Sequence, residues 1–409
     1  MQVILPEGAC AMAGESRERN LSTPMLGLVW FGAAVSLAEI LTGTFFAPLG
    51  WETGLAAILV GHVIGSVLFW LVAHVSAETG QTAMQAVGRS FGSIGSKLFS
   101  TANVVQLVGW TAIMIMSGAA AATLLVPALG MAGWCVAIGA LIVLWIAIGV
   151  KRMGQVQSVA AVLLLVLTFV ASAAVFGAGG APAAPAGEGL SFGAAVELAV
   201  AMPLSWLPVV GDYTREARRP AAGSAVATVA YFIGSCWMFA IGLGCALFAG
   251  SDDVATVLSQ AGLGAVGILI VVFSTVTTTF LDAESAGISA EAIHPRLDAR
   301  ACGIVAAIVG CVLAIVAPVG DFEEFLYLIG SVFAPMAAIV VTDYFVLHRD
   351  RSAAIVDWRN VVLWACGFAL YRFSLGWDLP CGNTLPVMVV IAIVVVAVER
   401  LVSRTGKNG

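Results

Sequence analysis

The residue that most constrains the chemistry of the chain is Glu39, which lies inside an apolar run from Leu26 to Leu49. The run is long enough to cross a bilayer, since a membrane-spanning helix needs ~20 mostly apolar residues. A carboxylate at bilayer depth costs roughly 2.5–3.5 kcal/mol even on a lenient scale, and such acids mark ion, proton or substrate pathways. The run therefore predicts a polar cavity inside a helix bundle. Its small or hydroxylated members are Gly32, Ser36, Thr42, Gly43 and Thr44.

An aromatic side chain and an amide share a helix face in the segment NVVQLVGWTAIMIMSG. Gln106 and Trp110 are one helical turn apart, so their side chains are neighbours. Together they suit a flat heterocycle, because the indole can stack on the ring while the amide binds the ring edge. The alternative is structural: Trp110 packs inside the bundle and Gln106 bonds a neighbouring helix.

A second aromatic residue, Trp206, follows Ser205 between two prolines in the segment AMPLSWLPVVGDY. Pro203 and Pro208 remove backbone donors from the middle of an apolar run, so the run predicts an interrupted helix. Irregular backbone at membrane depth occurs where it lines a cavity or is buried in protein. Trp206 is therefore a candidate second wall for a ligand. A proline kink packed by a bulky residue is the alternative.

The segment FSTVTTTFLDAESAG combines hydroxyl side chains with two acids. Hydroxyl and carbonyl oxygens are the hard ligands that small cations prefer, although a single hydroxyl often bonds back to its own helix. Asp282 could accept a hydrogen bond from a substrate or carry a proton, and Glu284 lies on roughly the opposite face. Asp282 and Glu39 are the best candidates to line one cavity. The hydroxyl residues are Ser274, Thr275, Thr277, Thr278 and Thr279.

The composition is that of a polytopic membrane protein. Of the 409 residues, 60% are hydrophobic and only 10% are charged, and the mean hydropathy is +1.02. A soluble domain would carry about 25% charged residues. The eight cysteines form no CxxC pair, which argues against a zinc site or a disulfide framework. No phosphate loop, nucleophile elbow or HExxH motif occurs, so the sequence indicates neither an ATPase nor a membrane hydrolase.

Twelve apolar runs predict membrane spans, and the basic residues sort to alternate connectors. With the N-terminus in the cytoplasm, the inner connectors and the tails hold 17 of the 18 Lys and Arg residues, and Arg372 is the exception. This positive-inside pattern predicts a multi-pass protein of the inner (plasma) membrane with both termini cytoplasmic. The outer connectors carry acids: Asp252, Asp253, Asp321, Glu323 and Glu324. The predicted spans are 26–49, 54–76, 98–126, 131–150, 156–177, 192–211, 224–249, 262–288, 301–318, 325–347, 359–376 and 384–402.

The two halves of the chain have similar lengths, and each opens with an interrupted apolar segment. Five helices is an odd number, so helices 6–10 would insert with the opposite orientation to helices 1–5. Interrupted first helices in two inverted halves are typical of secondary transporters with a binding site at the midplane. The predicted divisions are a tail at 1–25, repeats at 26–177 and 192–347 joined by a flexible connector at 179–189, accessory helices at 359–402 and a tail at 403–409.

Four segments resemble those of the nucleobase–cation symporter family one: WFGAAVSLAEILTGTFFAPLG, QLVGW, SWLPVVGDYTR and TVTTTFLDAESAG. The likeness covers nearly the whole chain and is greatest to the hydroxymethylpyrimidine-transporter branch, cytosine-permease-like proteins linked to thiamine salvage. It implies a LeuT-type fold of ten helices in two inverted five-helix repeats, plus two accessory helices. It also implies that the substrate ring lies between an aromatic side chain on helix 3, here Trp110, and one near the break in helix 6, here Trp206.

The resemblance also implies polar contacts to the ring. The family spacing before Asp212 puts Pro203 at the usual aromatic position of helix 6, so Pro203 joins Trp206 as a candidate. Gln106 and Asp282 would bind the ring edge. Relatives often have Asn at the position of Asp282, and an acid there fits a substrate that carries an amino group.

A sodium site is implied by the same likeness, with ligands from two carbonyls of helix 1 and from hydroxyls of helix 8. Anchoring on the glycine of WFG places this site at Gly32, Val35, Ser274, Thr277 and Thr278. Some relatives couple to protons instead, and Glu39 would then be the carrier.

The residues and the resemblance together predict an all-α membrane protein with 12 transmembrane helices that imports a pyrimidine, coupled to sodium or protons. Hydroxymethylpyrimidine is the predicted substrate. The alternatives are cytosine, another nucleobase, allantoin or an amino acid carried by the same fold, and also a channel or a sensor. We expect a monomer in the lipid bilayer, with no enzymatic activity, no cofactor and no nucleic-acid partner. The predicted substrate site comprises Trp110, Gln106, Ser205, Trp206, Pro203, Asp282, Glu39 and Ser36.

Overall fold

The computed structural model describes residues 19–148, 153–177, 189–251, 254–260, 262, 264–316 and 322–405. Regular structure in these ranges is helical, and one isolated bridge joins Leu21 to Ala217. Several sequence predictions fall outside the described residues. These are most of the N-terminal tail, the end of the C-terminal tail, connector residues 179–188, and Lys151, Arg152, Asp252, Asp253 and Asp321.

Sixteen α-helices make up the described part of the chain. Their bounds are α1 Thr23–Ala34, α2 Leu37–Thr44, α3 Gly50–Thr79, α4 Ala83–Phe91, α5 Gly95–Leu125, α6 Gly130–Ile148, α7 Met153–Phe176, α8 Phe192–Ser205, α9 Leu207–Thr214, α10 Pro220–Phe248, α11 Val254–Gln260, α12 Gly264–Ile293, α13 Ala299–Val316, α14 Phe322–Val341, α15 Trp358–Ser374 and α16 Thr384–Thr405.

The prediction of an all-helical membrane protein is confirmed. Within the described ranges, eight helices are long and apolar enough to cross a membrane, or up to nine if the bent pair α1–α2 counts as one span. Rows of exposed apolar side chains run along the outer faces of several of them, as expected of surfaces that face lipid. Examples are Leu59, Val63 and Val67 on α3, and Val305, Ile308 and Val312 on α13.

The first apolar run is divided where the sequence placed small and hydroxylated residues. α1 ends at Ala34, α2 begins at Leu37, and the two helices are bent by 50°. Ser36 has extended backbone, and its hydroxyl accepts a hydrogen bond from the backbone N–H of Glu39 at 3.3 Å. Ser36 is therefore the N-cap of α2, a role that Ser performs well because its oxygen satisfies a free N–H of the first turn.

The second interruption lies at Trp206, between α8 and α9. Pro208 is in the first turn of α9, where a missing N–H is tolerated, whereas Pro203 lies inside α8. Residues 192–214 still form one continuous span, and it is almost entirely buried. The break in this run is therefore milder than the 50° bend between α1 and α2.

The helices α3 and α8 touch through glycines. A Cβ atom on Gly61 would overlap Ala199 and the backbone of Val196, and one on Gly65 would overlap the ring of Pro203. Such small-residue contacts let helix backbones approach closely in membranes. They hold the proline-containing part of α8 against α3.

Candidate functional site

A narrow cavity lies where α1, α2, α5, α8 and α12 converge at the two interruptions. About 20 Å³ of it is accessible to water, which is room for about one water molecule. A pyrimidine ring is larger than one water, so the cavity must widen to admit such a ligand. Its lining is Ala33, Ser36, Ala38, Glu39, Leu107, Trp110, Met114, Met202, Ser205, Trp206, Thr278 and Asp282.

Six of the eight predicted substrate residues line this cavity, namely Ser36, Glu39, Trp110, Ser205, Trp206 and Asp282. Glu39 and Asp282 thus share one cavity, as their depth in apolar runs predicted. The other two predicted residues, Gln106 and Pro203, lie beside the cavity and contact neighbouring helices. The structure therefore brings six of the predicted residues together at one cavity, and their roles in binding stay predictions.

Asp282 presents a buried carboxylate to the cavity. The residue is only 3% exposed, and no donor among the described residues is within hydrogen-bonding distance of its oxygens. Leaving a buried polar group without a hydrogen-bond partner costs roughly 1–3 kcal/mol, and more if the group is charged. Asp282 is therefore the group in the cavity with the greatest capacity to accept a hydrogen bond from a ligand.

Glu39, in contrast, is already bonded to α10. Tyr231 donates to its Oε1 at 2.7 Å, and Ser235 donates to its Oε2 at 2.6 Å. Ser235 is in turn 2.6 Å from Nε2 of His62, whose Nδ1 is 2.8 Å from the carbonyl oxygen of Ile58. A buried polar chain thus leads from the cavity through α10 to α3. In the sequence, the signal for it was the four-residue spacing of Tyr231 and Ser235 within an apolar run.

Trp110 occupies an aromatic corner of the cavity. Its ring packs edge-on against Phe322 at 5.8 Å and Phe325 at 5.5 Å, measured between ring centroids. Its indole N–H is buried without a partner. Trp110 also lines the cavity, and an aromatic ring in a cavity wall can stack on a flat ligand.

Trp206 is fixed by a different aromatic group. The buried ring of Trp30 lies edge-on to it at 5.4 Å and also to Phe69 at 4.8 Å. Trp30 in turn approaches Tyr231, a partner of Glu39, at 6.2 Å. Tyr231 also lies edge-on to Trp206 at 6.4 Å. The two tryptophans of the cavity therefore have separate aromatic neighbours, on α14 for Trp110 and on α1 and α10 for Trp206.

Amide side chains of α5 bind backbone carbonyls on both sides of the break between α8 and α9. The amide nitrogen of Gln106 donates to the Ser205 carbonyl at 3.1 Å, and that of Asn103 donates to the Pro208 carbonyl at 3.1 Å. Gln106 also donates to Oδ1 of Asn103 at 2.8 Å. The amide nitrogen of Gln106 thus bonds a neighbouring helix, as in the structural alternative considered for this residue. Its Oε1 is buried without a partner. Asn103 was not singled out in the sequence.

One pair of the predicted ion ligands joins the bend between α1 and α2 to α12. The Ser274 hydroxyl donates to the Val35 carbonyl at 2.9 Å, which joins the two helices directly. The Thr277 hydroxyl bonds back to the Phe273 carbonyl at 2.8 Å. The Thr278 hydroxyl is buried without a partner. Gly32 lies in the last turn of α1, and a Cβ atom there would meet nothing within 4 Å.

One buried acid in α8 was missed in the sequence. Glu197 accepts hydrogen bonds from the backbone N–H of Asn383 at 2.6 Å and of Thr384 at 2.9 Å, and from the Thr384 hydroxyl at 2.6 Å. The Tyr371 hydroxyl also donates to it. Its signal was the same as that of Glu39, an acid within the apolar run AVELAVAMP.

Three other acids that the sequence analysis named have structural partners. Asp212 accepts from the backbone N–H of Ala83 at 3.0 Å at the start of α4, and Tyr213 donates to Glu284 at 2.8 Å. Arg372, the basic residue that departs from the positive-inside pattern, pairs with Glu324 at 2.6 Å. Among the described residues, no group of three or more His, Cys, Asp or Glu side chains could hold a metal ion.

Comparison with known proteins identifies the family. The chain matches the family described as "Permease for cytosine/purines, uracil, thiamine, allantoin" over residues 15–390. It belongs to this family. The chain is also similar to the cytosine permease of Escherichia coli strain K12, with 24% identity over 376 residues, covering 90% of this chain and 85% of that one. The chain is therefore a transporter and not an enzyme.

Solved structures confirm the fold. The nucleobase-cation-symport-1 family transporter Mhp1, in a closed conformation with bromovinylhydantoin bound, has a TM-score of 0.82 at 18% identity, covering 95% of this chain and 94% of that one. The inward-facing conformation of Mhp1 has a TM-score of 0.74 at 20% identity, covering 95% and 92%. A Na⁺-coupled sialic acid symporter has a TM-score of 0.69 at 12% identity, covering 92% and 88%. The predicted resemblance to the nucleobase–cation symporters thus holds at the level of family and fold.

Proposed function

We propose that this family member is a symporter that imports a pyrimidine carrying an amino group, with hydroxymethylpyrimidine as the first candidate and cytosine as the second. The observation that carries the proposal is the unpartnered carboxylate of Asp282 in a cavity whose walls include Trp110 and Trp206. An indole face supplies stacking, and a carboxylate binds the amino group or ring N–H that such a heterocycle presents at its edge. The family match independently supports a nucleobase-type substrate.

Alternating access in this proposal follows from the two interruptions. Twelve spans, with 26–177 and 192–347 as inverted repeats and 359–402 as accessory helices, would place the cavity at the midplane. The two repeats would rock about the cavity, so that it faces first the outer and then the cytoplasmic side. With the predicted orientation in the plasma membrane, the termini are cytoplasmic and transport is inward.

Sodium is one candidate coupling ion. The carbonyls of Gly32 and Val35, the carbonyl of Ser274 and the hydroxyls of Thr277 and Thr278 would supply five oxygen ligands. The buried, unpartnered hydroxyl of Thr278 supports this set, because an unsatisfied oxygen at that depth is unfavourable without a ligand. Binding there would link the bend between α1 and α2 to α12, and so stabilise the closed cavity. Protons, with Glu39 as carrier, are the other candidate.

The test is uptake of radiolabelled hydroxymethylpyrimidine and cytosine by proteoliposomes, with sodium and proton gradients imposed separately. We expect saturable uptake that one of the gradients drives. Competition by aminopyrimidines, but not by pyrimidines lacking the amino group, would support the role of Asp282. Uptake that neither gradient changes would contradict coupling, and competition by amino acids alone would contradict the substrate class.

A further inference from the structure

A series of hydrogen-bonded polar groups lies behind Glu39, outside the substrate cavity. Its members come from three helices: Glu39 on α2, Ser235 on α10 and His62 on α3. All three are buried, with exposures of 2%, 0% and 0%. Both contacts of Ser235, to Oε2 of Glu39 and to Nε2 of His62, are 2.6 Å long. At that separation a hydrogen atom must lie between each pair of heavy atoms.

The hydrogen bonds among these three side chains are compatible with only two arrangements of their protons. Because a carbonyl oxygen only accepts, Nδ1 of His62 must carry the hydrogen that binds the Ile58 carbonyl. If His62 is neutral, its Nε2 is an acceptor, so Ser235 donates to it and Glu39 must be protonated to donate to Ser235. If Glu39 is ionised, Ser235 donates to Glu39, so Nε2 must carry a second hydrogen and His62 is an imidazolium.

If Glu39 is ionised and His62 is neutral, the contacts of Ser235 with Glu39 and with His62, and that of His62 with Ile58, cannot all be hydrogen bonds. Ser235 has one hydrogen for two acceptors, and the other tautomer of His62 leaves Nδ1 and the Ile58 carbonyl as two facing lone pairs at 2.8 Å. Either satisfied arrangement contains one proton more than this form. The two arrangements interconvert when the proton leaves the Glu39 carboxyl for Ser235 as the Ser235 hydroxyl hydrogen passes to Nε2, so no atom or charge is lost.

We propose that Glu39, Ser235 and His62 form a single-proton site, referred to below as the proton triad, and that its proton enters with the substrate. The second half of the proposal rests on the proposed function, and the first half does not. Glu39 is the member that lines the substrate cavity, so the proton can leave when that cavity opens to water. The other titratable groups that face Glu39 are Tyr231 and Cys236 of α10 and Asp282 across the cavity.

The packing around the proton triad makes its charge matter for the position of α2. Gly43 of α2 lies against the backbone of α10, where a Cβ atom would come within 2.8 Å of the Phe239 Cα. The ring of Phe239 also packs edge-on against His62 at 4.7 Å. There is little room for water to replace a lost hydrogen bond, so loss of the proton should favour separation of α2 from α10. The proton-loaded triad therefore stabilises the closed cavity.

The first test needs no substrate. Infrared spectra of the purified protein between about pH 6 and pH 8 would show a protonated carboxyl, and NMR of labelled histidine would show an imidazolium at His62. We expect one of the two signals in the wild type, with loss of both the carboxyl band and any imidazolium at His62 in Glu39→Gln. In that variant the amide can still donate to Ser235 and accept from Tyr231. Other buried acids such as Asp282 can add to the carboxyl band, so the deciding signal is the part of the band that differs between the wild type and Glu39→Gln. A wild type with neither such a difference band nor an imidazolium at His62, or an imidazolium that persists in Glu39→Gln, would overturn the proton site.

The second test measures stoichiometry during transport. Proteoliposomes containing a pH indicator should take up about one proton per pyrimidine, and the ratio should fall to zero in Glu39→Gln whatever uptake remains. Ser235→Ala, which separates His62 from Glu39, should shift the pH dependence, and Glu291→Gln on the exposed end of α12 is the matched control. A ratio of zero in the wild type refutes proton coupling but leaves both the spectroscopic result and the pyrimidine transport standing. Absence of any pyrimidine uptake refutes the proposed function alone.

Discussion

Two buried carboxylates, Glu197 and Asp282, have opposite surroundings. Glu197 is 1% exposed and accepts hydrogen bonds from Tyr371, Asn383 and Thr384. Asp282 is 3% exposed and has no donor among the described residues. Each lies in an apolar run and each would be counted as an intramembrane acid from sequence. Their surroundings teach that the number of donors, rather than burial, separates an acid that holds helices together from one available to a ligand.

The largest effect on stability is expected when Glu197, the acid with several hydrogen-bond donors around it, is replaced. Glu197→Ala should lower the free energy of unfolding by about 3–5 kcal/mol, because it leaves two backbone N–H groups and two hydroxyls without an acceptor. The melting temperature in detergent measures this, with Glu291→Ala as the control for loss of an exposed acid. A variant that melts with the wild type would remove the structural role of Glu197.

Replacement of Asp282, the acid without a donor, should affect substrate binding more than stability. Asp282→Asn should weaken substrate binding about 10- to 100-fold, since a hydrogen bond to a charged group contributes roughly 1.5–3 kcal/mol. The melting temperature should stay the same or rise, because a buried acid without a partner is replaced by an uncharged amide of the same shape. Binding by isothermal calorimetry and melting should be read on the same preparation. A large fall in melting temperature with intact binding would reverse the assignment of the two acids.

Replacement of Trp110 separates the contribution of ring stacking from that of the Asp282 hydrogen bond. Trp110→Ala should weaken binding by about 1–3 kcal/mol, the range seen for stacking of bases on aromatic side chains. Trp110→Phe keeps an aromatic face and should recover most of that loss. Equal affinity of the wild type and the alanine variant would exclude Trp110 from the site, whatever Asp282 does.

A smaller effect is expected at the junction of the first bend and α12. Ser274→Ala removes the hydrogen bond to the Val35 carbonyl, worth about 1 kcal/mol, and should raise the sodium concentration for half-maximal uptake about fivefold. Ser331→Ala on α14 is the matched control, because it also removes a buried hydroxyl, one that donates to the Leu328 carbonyl of its own helix at 2.7 Å. Unchanged sodium dependence in Ser274→Ala would argue that sodium is not bound at this junction.

The smallest effect is expected at the surface. Arg372 and Glu324 are 36% and 53% exposed, and exposed ion pairs contribute about 0–1 kcal/mol. Arg372→Gln should therefore change the melting temperature little compared with Glu197→Ala, although both residues contact other helices. A loss as large as that of Glu197→Ala would show that the pair is far more buried in the membrane than its exposure indicates.

The sequence was most informative where local chemistry is unusual for a membrane. An acid, a serine and several small residues in one apolar run predicted the bend between α1 and α2, because a polar group there requires partners. Glu39 and Asp282 were singled out by the same argument, whereas Trp110 was singled out by its helical spacing from Gln106 and Trp206 by its position between two prolines. These features depend on what a residue can tolerate at bilayer depth, which a single sequence records.

Partners from distant parts of the chain were beyond the same argument. Glu197 bonds residues 186 and 187 positions away, and Glu39 bonds Tyr231 and Ser235 at separations of 192 and 196 positions. Helical periodicity identifies only neighbours along one helix. It therefore could not show that Glu197 has hydrogen-bond donors around it and that Asp282 does not. The assignment of Gln106 to the ring edge was uncertain for this reason, since its acceptor is a carbonyl in another helix.

The small volume of the cavity has a consequence for kinetics. If the space holds about one water molecule, a ligand binds only to the fraction of molecules that has already opened. The observed association rate should then level off as ligand concentration rises, at a ceiling set by the opening step rather than by diffusion.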